Sequence, residues 1–324
     1  MIDEALQREY EAATGGAAVV RLRDWSTVRA AGRDRASFLH NMCTNGVKRL
    51  AAGEGCEALF TDVKGKVVAH GFLLAGADAI EIVMVPGTAA RLMAQLDRYI
   101  IREDVTLSDR SCEVAWMLLL GERAGEILAR VAGAEAGELT GAWAHRRLLL
   151  DGGAATPVRC ALPWMGGFLI GGAPDAVAAI EAKLTAAGAV LGGDKLWNMV
   201  RIESNWPLWG VDFDESNLPQ EVSRDEQAIS FRKGCYLGQE TVARIDALGH
   251  VNKQLATVRF EGDAVPEVGA ELFQGEQPVG RVTSSCWSPR DAKPRALAML
   301  KRGGNVVGTP LRWSGGAGEV VAPR

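Results

Sequence analysis

The chain is short of the features that usually announce a function. Its six cysteines are Cys43, Cys56, Cys112, Cys160, Cys235 and Cys286, and no two are separated by the two intervening residues of a metal or redox pair. Zinc-ribbon, ferredoxin and thioredoxin-type sites are therefore not expected, and no metal site is. No apolar run is long enough to span a bilayer. The N-terminal MIDEALQREYEAA is acidic and amphipathic, unlike a secretory signal, so a cytoplasmic location and reduced thiols are expected. A basic excess is also missing: 36 Lys and Arg stand against 40 Asp and Glu, a net charge of −4. Phosphate contacts dominate nucleic-acid affinity, so this balance weighs against direct RNA or DNA binding. There is no low-complexity tract and no solenoid repeat.

What is present is 324 residues of ordinary globular composition, 48% apolar and 23% charged, enough for two or three domains. Ile2, Leu6 and Tyr10 fall on one side of a helix over 2–12. AAVVRLR and STVRAAG read as strands, and Asp34 can cap a helix carrying Phe38, Leu39 and Met42. EALFTDVKGKVVAHGFLL reads as a hairpin turning at Asp62–Gly65. AIEIVMV is a further strand, and TAARLMAQLDRYII an amphipathic helix. Residues 113–120 form a strand and GERAGEILARVAG a helix. HRRLLLD and PVRCALP follow as strands, leading through WMGG to FLIGG. Pro174 suits the first turn of a helix reaching about Ala187, and GDKLWNMVRIES is one more. Hairpins mixed with helices favour α+β over a doubly wound sheet. After about residue 250 only short strands remain, which predicts a separate all-β barrel or sandwich.

The chemistry concentrates at FRKGCYLGQE, residues 231–240. Cys235 precedes a predicted helix over GQETVARI, with Arg232 and Lys233 beside it, a setting that favours thiolate. Gly234 and Gly238 permit close approach or positive φ. The local pattern leaves the thiol open as nucleophile, metal ligand, redox handle or packing residue. A Cys–His pair needs an imidazole, and His40, His70, His145 and His250 are not distinguished by the sequence.

KGCYLGQE resembles the signature of the YgfZ family, folate-binding proteins similar to the glycine-cleavage T-protein (aminomethyltransferase-like). RIESNWPLWGVDFDESNLPQE (201–221) resembles the segment before that signature, and ARIDALGHVNKQL (243–255) the segment after it. The resemblance implies a three-lobed T-protein-like fold: two α+β lobes of ferredoxin-like character and a C-terminal β-barrel. It places the first, folate-binding lobe at 1–50 and 140–250, the second at 51–139 and the barrel at 251–324.

The implied ligand is tetrahydrofolate or a derivative. Glu203 would accept the pterin edge, and Arg232, Lys233, Gly234, Tyr236, Gly238, Gln239 and Arg244 would complete the site. Arg244 is the leading candidate for the glutamate tail. Cys235 is the implied functional thiol, in a factor supporting iron–sulfur cluster assembly or repair and, through it, tRNA-modifying and other iron–sulfur enzymes. The implied partners are those enzymes or assembly factors.

One departure concerns catalysis. Aligning GKVVAH on the strand that carries paired aspartates in aminomethyltransferases puts Ala69 and His70 there. The alternative, a tetrahydrofolate-dependent aminomethyltransferase, then loses its obvious proton-transfer group.

Overall fold

The computed structural model describes residues 2–150, 153–160 and 166–322. The strand Ala115–Leu120 explains how its first layer is built. AWMLLL is a continuous apolar run because both faces are covered. Trp116, Leu118 and Leu120 face a core with Leu6, Tyr10, Leu196, Met199 and Val200. Met117 and Leu119 face the opposite way, onto Ile127, Leu128, Val177, Ile180 and Leu184. The helices Glu4–Gly15 and Asp194–Glu203 thus cover one side, and Ala124–Ala132 and Pro174–Ala186 the other. In spatial order the sheet runs Val190–Gly192, Ala18–Leu22, Ala115–Leu120, Gly167–Gly172, Gly153–Arg159 and Leu148–Leu150.

The second layer is a five-stranded antiparallel sheet ordered Gly55–Thr61, Val67–Ala75, Ala79–Met84, Ser26–Ala31 and Thr106–Asp109. Helices Arg35–Met42 and Ala89–Asp97 bury Phe38, Leu39, Leu92 and Leu96 against one face. Every residue of Val67–Ala75 is buried. Ala69 and Leu73 turn to those helices, whereas Phe72 and Leu74 turn to the first lobe's core. Phe72 stacks on Trp143 with ring centroids 4.2 Å apart, and Trp206 meets both edge-on. Residues 253–321 close into the predicted barrel, six strands around Val258, Phe260, Leu272 and Leu300.

Several details differ from the sequence reading. Residues 26–31 and 35–42, expected in the first lobe, belong to the second sheet and its helical cover. Residues 115–120, expected in the second lobe, sit inside the first sheet. Strand partners are chosen by long-range register, which local periodicity does not carry. Asp34 occupies the N-cap position of Arg35–Met42, but its carboxylate accepts from the Asp104 amide at 2.8 Å instead of capping. The expected connection through Trp164 and Met165 lies outside the described residues.

Candidate functional site

Residues 231–238 form a loop fastened to the second lobe at several points. Lys233 Nζ donates to the backbone carbonyls of His40, Cys43 and Asn45, the last two at 2.7 and 2.9 Å. These lie at and just beyond the C-terminal end of the helix Arg35–Met42, where unpaired carbonyls carry partial negative charge. An ammonium has three protons and here three acceptors, so Lys233 is saturated. Burial lowers its pKa. The same ammonium lies 4.8 Å from the centroid of the Tyr236 ring, whose phenol is pushed up to about 12 by burial. The Leu237 amide donates to Asn41 O at 2.9 Å, and Thr61 Oγ1 donates to Leu237 O at 2.5 Å.

Gly238 completes the attachment. It has φ 81° and caps the helix Gln239–Leu248, and a Cβ there would lie 2.5 Å from Asp62 O. Facing it, Gly65 has φ 77°, and its Cβ would lie 2.8 Å from Thr241 Cβ. The hairpin turn therefore supports the signature helix, with Asp62 Oδ1 accepting from the Lys64 and Lys66 amides. Gly234 is different: its φ is not in the left-handed region, and an added Cβ would meet nothing within 4 Å. Of the two freedoms a glycine permits here, close approach and positive φ, Gly234 uses neither.

Between these anchors Cys235 is exposed, as are Arg232 and Arg244, while Gln239 is half-buried. Neither arginine has a hydrogen bond or ion pair among the described residues. Lys233, expected to charge the thiol's surroundings or hold a ligand, spends its protons on carbonyls instead. No imidazole bonds to Cys235 among the described residues. His40 Nδ1 accepts from the Val47 amide, and His70 is bound to Glu57.

Glu203 is completely buried at the end of its helix. Its Oε2 accepts from Tyr10 Oη at 2.8 Å, and its Oε1 accepts from Ser288 Oγ. The N-terminal helix, the helix Asp194–Glu203 and the barrel thus meet on one carboxylate. Burial raises its pKa, with the two hydroxyls opposing. Arg201 bridges differently, donating to Asp212 Oδ2 at 2.8 Å and to Ser284 Oγ at 2.7 Å. Trp206 is core; Trp209 is half-buried under Arg91, whose guanidinium lies 5.0 Å from the ring centroid.

A buried cluster escaped the sequence reading. Glu57 bonds to His70 Nε2 at 2.9 Å and accepts from Arg224 Nε at 2.8 Å and from Arg224 Nη2. Burial alone would push the Glu57 carboxyl up, but Arg224 and His70 overcome it and hold it at about 2. A signal was present in the sequence: GCEALF is an apolar strand interrupted by one carboxylate, which needs a partner if both faces are buried. Arg224, Tyr10 and Ser288 gave no such sign.

The GCVT N-terminal domain model matches residues 2–231, and the glycine cleavage T-protein C-terminal barrel domain model matches residues 253–321. A chloroplastic protein of Arabidopsis thaliana is 27% identical over 318 residues, 95% of this chain and 70% of its own. The tRNA-modifying protein YgfZ of Edwardsiella ictaluri is 30% identical over 261 residues, 78% of this chain and 74% of its own. The crystal structure of the glycine cleavage system aminomethyltransferase T from Bartonella henselae superposes with a TM-score of 0.87 at 18% identity, over 98% of this chain and 88% of that one.

Proposed function

The chain belongs to the glycine-cleavage T-protein family, and from that premise we propose that it is a folate-binding accessory protein whose working group is the Cys235 thiol. In this reading it supports iron–sulfur cluster assembly or repair in the cytoplasm, and through it tRNA-modifying and other iron–sulfur enzymes. The relative named for tRNA modification favours this direction. The observation that carries it is the signature loop: Lys233, Leu237 and Gly238 are used up in attachment, and Cys235 is left exposed.

Aminomethyl transfer, suggested by a relative named aminomethyltransferase from Rubrobacter xylanophilus, 25% identical over 91% of this chain and 79% of its own, is less well supported. Ala69 is packed in the second lobe's core, and His70 is committed to Glu57. Neither offers a free carboxylate to a ligand amine.

Tetrahydrofolate fits the chain unevenly. Its glutamate carboxylates match the exposed Arg232 and Arg244, which have charge to offer. Its pterin edge does not match Glu203 as the chain stands, because that carboxylate is sealed and already accepts two hydroxyls. Lys233 likewise has no proton left for a ligand. The folate reading therefore rests on family membership and the two exposed arginines.

Calorimetric titration with tetrahydrofolate derivatives, followed by a turnover assay with a methylamine donor, tests the reading. Binding without turnover is expected. Efficient turnover would move the chain to the transferases, and absence of binding would remove folate. Cys235→Ala is expected to abolish rescue of iron–sulfur enzyme activity in a deletion strain, and full rescue would exclude the thiol.

A further inference from the structure

The loop that follows the helix Asp194–Glu203 is fastened to the barrel by one carboxylate. Asp212 Oδ1 accepts from Thr283 Oγ1 at 2.7 Å and from Ser284 Oγ at 2.6 Å, and its Oδ2 accepts from Arg201 Nη1 and the Leu208 amide. Further along, the buried Asn217 accepts from the Asp214 amide and donates to Glu221. These two anchors flank a cleft of about 290 Å³ between residues 210–217 and the barrel. That volume is close to the lower end of small-molecule sites.

Unlike the carboxylate of Glu203, the charged groups lining this cleft can be reached. Asp214 and Arg281 are exposed, and the Lys253 side chain is 36% exposed. Little of their bonding capacity is spent inside the chain. Arg281 has no hydrogen bond or ion pair among the described residues. Lys253 Nζ has a 3.4 Å contact with Ser216 Oγ and a 3.8 Å approach to Glu221. Asp214 Oδ1 accepts from the Ser216 amide at 2.8 Å, and no cation pairs with this carboxylate among the described residues. Lys253 and Arg281 nevertheless both act on it, adding to the stronger effect of Ser216 in holding its pKa down. The three charges therefore share one opening. Val211 on the loop and Val268 on the barrel, both exposed, line it too, and half-buried Met299 completes the apolar part.

A lone carboxylate would satisfy Arg281 and Lys253 but meet Asp214, and a lone ammonium would satisfy Asp214 but meet two cations. A molecule with both charges on one carbon, and an aliphatic body, answers all three groups and the valines. We propose that this cleft binds a small aliphatic α-amino acid, its carboxylate on Arg281 and Lys253, its ammonium on Asp214 and its side chain against Val211, Val268 and Met299. The inference is independent of folate and of Cys235.

The test follows the full chain by heteronuclear NMR during titration with L-leucine. Separate titrations use 4-methylpentanoate, which lacks the ammonium, and 3-methylbutylamine, which lacks the carboxylate. Saturable shifts are expected at residues 210–217, 268–269 and 281–283, with leucine binding at least about tenfold more tightly than either analogue. Asp214→Asn should remove the preference over 4-methylpentanoate, and Arg281→Gln the preference over 3-methylbutylamine. Both positions are exposed, so both variants should fold as the unmodified chain does. The proposal is overturned if leucine gives no saturable shifts in this cleft at millimolar concentration, if its preference over either analogue falls short of tenfold, or if either variant keeps the preference it should lose.

Discussion

The Tyr10 phenol donates a 2.8 Å hydrogen bond to Glu203 across 193 residues of chain. Both side chains are buried, so removing the hydroxyl leaves a desolvated carboxylate short of a donor. Tyr10→Phe is expected to cost about 1.5–3 kcal/mol, as for a hydrogen bond to a charged group. It should appear as a lower denaturation midpoint with an unchanged m-value. A midpoint equal to that of the unmodified chain would mean that the phenol does not matter to the carboxylate.

The Glu57–Arg224 pair makes a second stability prediction. Arg224→Met leaves an unpaired buried carboxylate and should cost about 3–5 kcal/mol. Glu57 is depressed from 4.5 to about 2 in the folded chain. Its contribution is therefore complete above the unfolded value and is lost as pH falls through the folded one. Acid-unfolding curves of Glu57→Gln should be flatter than those of the unmodified chain between these limits. Parallel curves would contradict the linkage.

Thiol labelling tests the presentation of Cys235. Cys112 and Cys235 are the exposed cysteines, and Cys43, Cys56 and Cys160 are buried. The native chain should show two rapidly reacting thiols and the denatured chain all six. Cys235→Ser should remove one fast thiol and change stability by no more than about 0.5 kcal/mol. Slow labelling at position 235 would show a covered sulfur.

The two signature glycines should behave oppositely. Gly238→Ala introduces a Cβ at positive φ and 2.5 Å from Asp62 O, and should destabilise by more than about 1 kcal/mol. Gly234→Ala meets nothing and should be close to neutral. Thermal melts of the two variants compare them directly, and equal losses would refute the distinction.

If the exposed arginines hold folate carboxylates, Arg232→Glu and Arg244→Glu should each weaken binding, and added salt should narrow the difference from the unmodified chain. Calorimetry at two salt concentrations reads both effects. Affinity unchanged in both variants would place the tail elsewhere.

The sequence by itself determined what depends on neighbours in the chain. Helix periodicity marked the helix Ala89–Asp97, Pro174 marked the start of Pro174–Ala186, turn chemistry marked Asp62–Gly65, and short strands between turns marked the barrel. The signature and its flanks pointed to the family. These signals are local, written in spacings of two to four residues. Tertiary structure alone decided the partners. It drew residues 26–31 into the second sheet, spent Lys233 on the end of a helix some 190 residues earlier, closed Tyr10 over Glu203, and tied His70 to Glu57. A lysine or carboxylate reads the same in sequence whether it faces solvent, a ligand or a buried acceptor. Only the folded chain settles which groups remain free, because each proton and lone pair used inside the protein is unavailable outside it.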